Sequence, residues 1–225
     1  MFGVVIVAAG QSVRMAGRDK IFADLGGELV LARSVRTFHE CPFVGQIVIV
    51  LNESNLEQGR RLVEERAWHK VTGLRPGGLR RQDSVANGLK ALDGCSLVAI
   101  HDGARPLVHR ETIERGCLEV QRHGVAVAAV PVKDTVKVVD VDGFVQDTPD
   151  RSMLWLAQTP QLFRYEIIAD ACGRVTADVT DDAALVERAG YRVKLFMGSY
   201  GNIKITTPED LDLARAMLGL GPPSP

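Results

Sequence analysis

Four short apolar runs, separated by segments with helix-spaced apolar positions, constrain this chain more than any other feature. Residues 4–7 (VVIV), 46–50 (QIVIV), 96–100 (SLVAI) and 125–130 (VAVAAV) lack the polar alternation of a strand with one wet face. Such runs suit parallel strands covered on both sides. Between them, residues 30–38, 56–68, 82–92 and 111–123 repeat apolar side chains at helical spacing. Strand alternating with helix predicts an α/β fold, a three-layer sandwich with right-handed crossovers. In such a sheet ligands bind beyond the carboxyl ends of the strands. Three loops are expected there: residues 9–20 after the first strand, 76–84 after the third and 101–106 after the fourth.

At 225 residues the chain can bury one full core. Its formal net charge of −1 provides no field to recruit nucleic acid or an anionic membrane. Phosphate binding would therefore come from a few placed cations. Cys41, Cys95, Cys117 and Cys172 form no C-x-x-C pair, and the five histidines show no ligand spacing beside them. That argues against a zinc site or a disulfide framework and for reduced thiols in a cytoplasmic protein. The first apolar run is too short to span a bilayer and has no basic segment before it, so neither a signal peptide nor a membrane anchor is expected.

Residues 133–160 break the rhythm. Residues 135–140 and 144–146 flank Asp142-Gly143, a hairpin signal. A lone two-stranded ribbon is marginal in water, which favours an arm that reaches a partner subunit. Beyond it, residues 165–175, 181–189 and 208–218 read as helices and 191–197 as a strand. Thr207 and Pro208 supply the last helix with an N-cap and a proline at its first position. The final GPPSP is expected to be disordered.

Three loops carry candidate chemistry. The first, AAGQSVRM at residues 8–15, is followed by Lys20. A strand ending in small residues exposes backbone N–H groups, and Arg14 and Lys20 add the charge that a polyphosphate needs. The bland alternative is a tight turn with two solvated cations. The loop carries neither G-x-G-x-x-G nor a Walker G-K-[ST], which sets aside a dinucleotide oxidoreductase. It resembles the A-A-G-x-G-x-R-M loop of sugar-nucleotide-type nucleotidyltransferases. In the second, PGGLRRQDS at 76–84, Gly77-Gly78 could let a planar base approach while Ser84 hydrogen-bonds it. Asp83 and Ser84 could equally cap a helix. In the third, HDGARP at 101–106, Asp102 ends a buried strand and suits magnesium through one carboxylate. Its alternative is a helix cap.

With PVKDT at 131–135, Arg151, TPQ at 159–161, TDDA at 180–183 and NIKIT at 202–206, these motifs keep the order and spacing of one family. The chain resembles the 2-C-methyl-D-erythritol 4-phosphate cytidylyltransferases of the non-mevalonate isoprenoid pathway. The resemblance spans nearly the whole chain. It implies one Rossmann-like nucleotidyltransferase domain over residues 1–225, with a dimerisation arm at about 134–157 that makes a homodimer. It also implies CTP on the backbone of Ala8, Ala9 and Gly10, with Gly78 and Ser84 near the cytosine. Arg14 and Lys20 would neutralise phosphates, and Asp102 would hold magnesium. Arg105, Thr135, Thr159, Thr180 and Lys204 would line the acceptor site with Asp102, and Arg151 would enter the partner's site. Lys137 reads as a solvated hairpin residue. Four positions depart from the family pattern: Ser12, Asp19, Leu79 and Gly201. Asp19, in place of a proline, is expected to loosen the loop before Lys20. The implied reaction is in-line attack of the acceptor's phosphate on the α-phosphorus of CTP, with Arg14, Lys20, Lys204 and Arg151 the working cations. A ribitol 5-phosphate cytidylyltransferase and an inactive nucleotide-binding homologue remain alternatives.

Overall fold

The computed structural model describes residues 1–10 and 19–221. Arg14 and Ser12 in the first loop, and most of the proline-rich tail, lie outside the described residues. The elements run β1 (Phe2–Ala8), α1 (Val30–His39), β2 (Val44–Leu51), α2 (Leu56–Glu65), β3 (Val71–Pro76), α3 (Arg81–Leu89), β4 (Leu97–Asp102), α4 (Arg110–His123) and β5 (Val125–Pro131). They continue with β6 (Val138–Val139), β7 (Val145–Asp147), β8 (Trp155–Arg164), α5 (Tyr165–Arg174), α6 (Asp182–Arg188), β9 (Lys194–Met197) and α7 (Pro208–Met217).

Seven strands form one sheet in the order β3-β2-β1-β4-β8-β5-β9, and β6 pairs with β7 in a separate ribbon. β1 lies parallel to both β2 and β4, with Val5 opposite Val48 and Ile100. The continuous apolar runs have their predicted cause, because successive side chains serve opposite faces. Val4 and Ile6 of β1 pack with Leu31, Val35 and Phe38 of α1 and with Ile113 of α4. Val5, Val48 and Ile100 pack on the other side with Val85 and Leu89 of α3 and Leu185 of α6. The result is the expected three-layer α/β sandwich.

β8 was not expected. Its sequence WLAQTPQLFR carries two glutamines and a proline, and proline argues against a central strand. It nonetheless runs antiparallel between β4 and β5, the one reversed strand of an otherwise parallel sheet. The proline is accommodated at an irregularity. Val127 pairs with Gln161 and Ala129 already with Ala157, so residues 158–160 bulge out of register. That bulge places Gln158 and Thr159 beside the end of β4.

The hairpin forms around the predicted turn. Gly143 adopts φ +86°, and the Asp140 carboxylate accepts N–H bonds from Asp142 at 3.0 Å and Phe144 at 2.9 Å. The chain leaves the sheet after Pro131 and re-enters it at Trp155, so the arm ends before the expected residue 157. Lys137 is exposed and donates to Thr148 Oγ1 at 2.8 Å. Among the described residues no helix is long and apolar enough to cross a membrane, and all four cysteines are unpaired.

Candidate active site

Two adjoining cavities open beyond the carboxyl ends of β1 and β4. The larger, about 450 Å³, is lined by Ala8, Ala9, Gly10, Lys20, Gly78, Ser84, Asp102 and Lys204. All of these but Lys204, which was expected on the acceptor side, were expected on the nucleotide side; Arg14 lies outside the described residues. The smaller, about 140 Å³, is lined by Asp102, Arg105, Thr159, Thr180 and Lys204 among others. These were expected on the acceptor side. Among the described residues, Arg81, Asp102 and Lys204 line both cavities. Thr135 and Arg151 line neither: both are exposed at the arm, and Arg151 Nη1 donates to the Lys133 carbonyl at 2.9 Å.

Asp102 is the junction. Its Oδ2 meets Lys204 Nζ at 2.9 Å and Arg105 Nε at 3.6 Å, and its Oδ1 meets Arg81 Nη2 at 3.3 Å. Burial opposes its charge, but Arg81, Lys204 and Arg105 outweigh burial and hold the carboxyl well below the usual carboxylate range. Asp102 caps no helix, because α4 starts at Arg110 with His109 in the capping position.

A chain of hydrogen bonds behind Asp102 fixes it. The Asp102 N–H donates to Thr159 Oγ1 at 3.0 Å, and Thr159 Oγ1 lies 3.1 Å from His101 Nδ1. His101 Nε2 lies 3.2 Å from the Arg105 carbonyl. A carbonyl only accepts, so Nε2 carries the proton and the Thr159 hydroxyl donates to Nδ1. Burial pushes His101 down to about 4, which keeps the ring neutral. Asn202 closes the arrangement, donating from Nδ2 to the Thr159 carbonyl at 2.7 Å and accepting Arg105 Nη1 on its own carbonyl at 2.7 Å. Ile205 N–H donates to the Ala104 carbonyl at 2.8 Å, which docks the segment bearing Lys204 against the β4 loop.

The Gly77-Gly78 turn has a steric cause. A Cβ on Gly77 would overlap that of Ala9, and one on Gly78 would overlap that of Asp83. Gly77 N–H bonds to the Leu51 carbonyl at 2.8 Å, and Gly78 N–H bonds to Ser84 Oγ at 3.0 Å. Ser84, a turn inside α3, also donates to the Arg80 carbonyl at 3.2 Å. The helix start is closed by Asp83, whose carboxylate accepts the Arg80 N–H at 3.1 Å. Of the two capping candidates, Asp83 caps and Ser84 holds the turn.

Asp19 is held through both of its carboxylate oxygens. It takes φ −78° and ψ 112°, conformations open to proline, and its carboxylate caps the 3₁₀ turn at Lys20–Phe22 through the Ile21 N–H. Its second oxygen accepts Asn55 Nδ2 at 2.5 Å. Sequence reasoning gave no role to His101, Asn202, Arg81 or Asp182. The first two stand inside the quoted HDGARP and NIKIT motifs, so the signal was present. Arg81 and Asp182 meet across 101 residues, with Nη1 to Oδ2 at 2.8 Å, and only the fold shows that pair.

A family model described as "IspD: 2-C-methyl-D-erythritol 4-phosphate cytidylyltransferase" matches residues 2–220. A protein of that name from Dehalococcoides mccartyi is 50% identical over 219 residues, covering 97% of this chain and 96% of the relative. One from Caldanaerobacter subterraneus is 44% identical, covering 95% of this chain and 97% of the relative. The crystal structure of 4-diphosphocytidyl-2C-methyl-D-erythritol synthase from Anaerococcus prevotii superposes with a TM-score of 0.86 at 31% identity, covering 97% of this chain and 96% of that one. The cytidylyltransferase structure from Thermus thermophilus gives 0.80 at 31% identity, covering 97% and 98%.

Proposed function

This chain belongs to the 2-C-methyl-D-erythritol 4-phosphate cytidylyltransferase family, and on that basis we propose how its own residues divide the work. It is a nucleotidyltransferase of isoprenoid precursor biosynthesis, joining CTP and 2-C-methyl-D-erythritol 4-phosphate into 4-diphosphocytidyl-2-C-methyl-D-erythritol with release of pyrophosphate. The observation that carries the division of labour is the wall of Arg81, Asp102 and Lys204 common to two adjoining cavities. CTP takes the larger, with Ala8, Ala9 and Gly10 along its phosphates, Gly78 and Ser84 at the base, and Lys20 and Arg14 on the departing pyrophosphate. The acceptor takes the smaller, between Arg105, Thr159 and Thr180. Its phosphate oxygen then meets the α-phosphorus at the shared wall.

The acceptor phosphate is already ionised at neutral pH, so no general base is needed. His101, neutral and behind Asp102, orients the site and moves no proton. The main task is to bring two anions together, by alignment and preorganised charge. Lys204, Arg81 and Arg105 outnumber Asp102 and Asp182 around the meeting point. Among the described residues no three His, Cys, Asp or Glu side chains gather to hold a metal. Asp102 is the carboxylate that would hold magnesium, and the ion would supply charge neutralisation at phosphate oxygens. The Asp102 Oδ1 atom, with Arg81 no closer than 3.3 Å, is the oxygen that can serve.

The arm is read as the dimer contact of a cytoplasmic homodimer. It exposes Val141, Phe144 and Met153, side chains that a free ribbon would leave in water. Arg151 and Thr135, which line neither of their own chain's two cavities, are delivered to the partner's acceptor site. The test is pyrophosphate release from CTP with a panel of sugar-alcohol phosphates. 2-C-Methyl-D-erythritol 4-phosphate should give the highest kcat/KM. A preference for ribitol 5-phosphate, or no turnover with any acceptor, overturns this reading.

A further inference from the structure

We propose that Asp182 is a positioning residue for the transfer, holding Arg81 in the wall that the two cavities share. The proposal rests on the cytidylyl-transfer reading above. Asp182 opens α6, is 1% exposed, and lines neither cavity. Its carboxylate reaches the site only through Arg81, whose guanidinium forks between two acids. Nη1 lies 2.8 Å from Asp182 Oδ2, and Nη2 lies 3.3 Å from Asp102 Oδ1. The tighter contact is with the acid farther from the substrates, so Arg81 is held back from Asp102.

Both ends of the fork are built on anchored backbone. Asp181, the preceding residue, caps α6 by accepting the Ala184 N–H at 2.9 Å and takes Gln161 Nε2 at 2.8 Å. The following residue, Ala183, donates its N–H to Gln161 Oε1 at 2.8 Å. On the other side, Arg80 donates to the Thr176 carbonyl at 2.7 Å, and Gln82 bonds the backbone of Ala177 and Val179, each at 3.3 Å. The loop before α6 is thus already tied to α3 without Asp182, and Arg80 adds an ion pair to Asp178 at 3.1 Å. An added buried ion pair is weak evidence for stability, since two buried charges must be desolvated. Fixing a cation beside the reacting atoms is what the Asp182 carboxylate adds.

Without the Asp182 charge, Arg81 has Asp102 as its remaining carboxylate partner and closes on it. It then competes with Lys204 and with phosphate oxygens where the two substrates meet. That loss falls on the chemical step. Ground-state binding still has Lys20, Arg105 and Lys204.

The experiment is a double-mutant cycle with Asp182→Asn and Arg81→Gln, measured as kcat and KM for CTP and for the methylerythritol phosphate acceptor. Asp182→Asn is expected to lower kcat at least tenfold, with both KM values within threefold. In the Arg81→Gln background the same change should alter kcat/KM less than twofold. A raised acceptor KM with kcat preserved would assign Asp182 to loop structure alone and overturn the proposal. Equal losses in both backgrounds would overturn it too. If Asp182→Asn does not fold, comparing Arg81→Gln with Arg81→Gln/Asp182→Asn, which removes both buried charges, decides the matter: equal kcat/KM supports the proposal and a further tenfold loss sinks it. Wild-type protein that releases no pyrophosphate from CTP overturns the reaction itself, whereas wild-type turnover with an unperturbed Asp182→Asn variant overturns this proposal alone.

Discussion

At the residue scale, the hydrogen-bond chain behind Asp102 makes the site sensitive to one histidine. His101 is fully buried, packs 4.9 Å from the Phe38 ring, and is pushed down to about 4 mainly by burial. The unfolded chain would protonate it near 6.5. A histidine with a depressed folded pKa contributes stability above its unfolded value, and that contribution fades as pH falls from about 6.5 toward about 4. Up to about 3 kcal/mol should be lost across that window. His101→Gln should flatten the fall, which thermal melts from pH 7 to 4 would show; parallel wild-type and variant curves would refute the assignment. Lys20→Ala should leave the fold intact and cut turnover several hundredfold, or roughly 3–4 kcal/mol of barrier, by analogy with loss of a preorganised donor. Near-normal kcat in the folded variant would leave Lys20 a surface charge. The residues legible in sequence were those that line the cavities directly, Ala8 and Asp102 at strand ends and Gly10 and Lys204 in the loops beyond. His101 and Asp182 were not, because each acts through a neighbour and their residue types alone do not distinguish a working buried polar group from a satisfied core one.

At the element scale, the site is made where α3, the β1 loop and the β8 bulge converge. Gly77 and Gly78 let α3 begin against Ala9, and Ser84 pins the turn by accepting the Gly78 N–H. Ser84→Ala leaves that half-buried N–H without its side-chain partner, a loss of about 1 kcal/mol. The KM for CTP should rise about fivefold while the acceptor KM stays put. Equal shifts in both would place Ser84 outside the nucleotide subsite. Continuous apolar runs made β1, β2, β4 and β5 readable, since burial on both faces leaves no polar alternation to misread. β3, with VTGLRP, carries a weaker pattern because it is the sheet edge and half exposed. β8 was hidden for another reason. Its Gln158, Thr159, Pro160 and Gln161 serve the bulge and the site, so its sequence reports those contacts and not its strand.

At the scale of the whole molecule, the arm holds the apolar surface that a single chain cannot cover. Val139, Val141, Phe144, Val145 and Met153 are each more than half exposed, and Val141 wholly so. The ribbon joining them has strands of two and three residues, too short to stand alone. In the proposed homodimer a twofold contact between arms would cover that surface and carry Arg151 away from its own cavities. Each site would then combine Lys20 of one subunit with Arg151 of the other. Homodimers of Lys20→Ala and of Arg151→Ala should both be inactive. Mixed and reassociated, they form heterodimers in which one site has both residues intact and the other has neither. Random pairing in equal amounts makes half the dimers heterodimers with one good site of two, so about a quarter of wild-type activity should return. If both residues served a site within one chain, every site in the mixture would still lack one of them. Activity that stays at the homodimer level after mass spectrometry has confirmed subunit exchange would therefore confine Arg151 to its own chain.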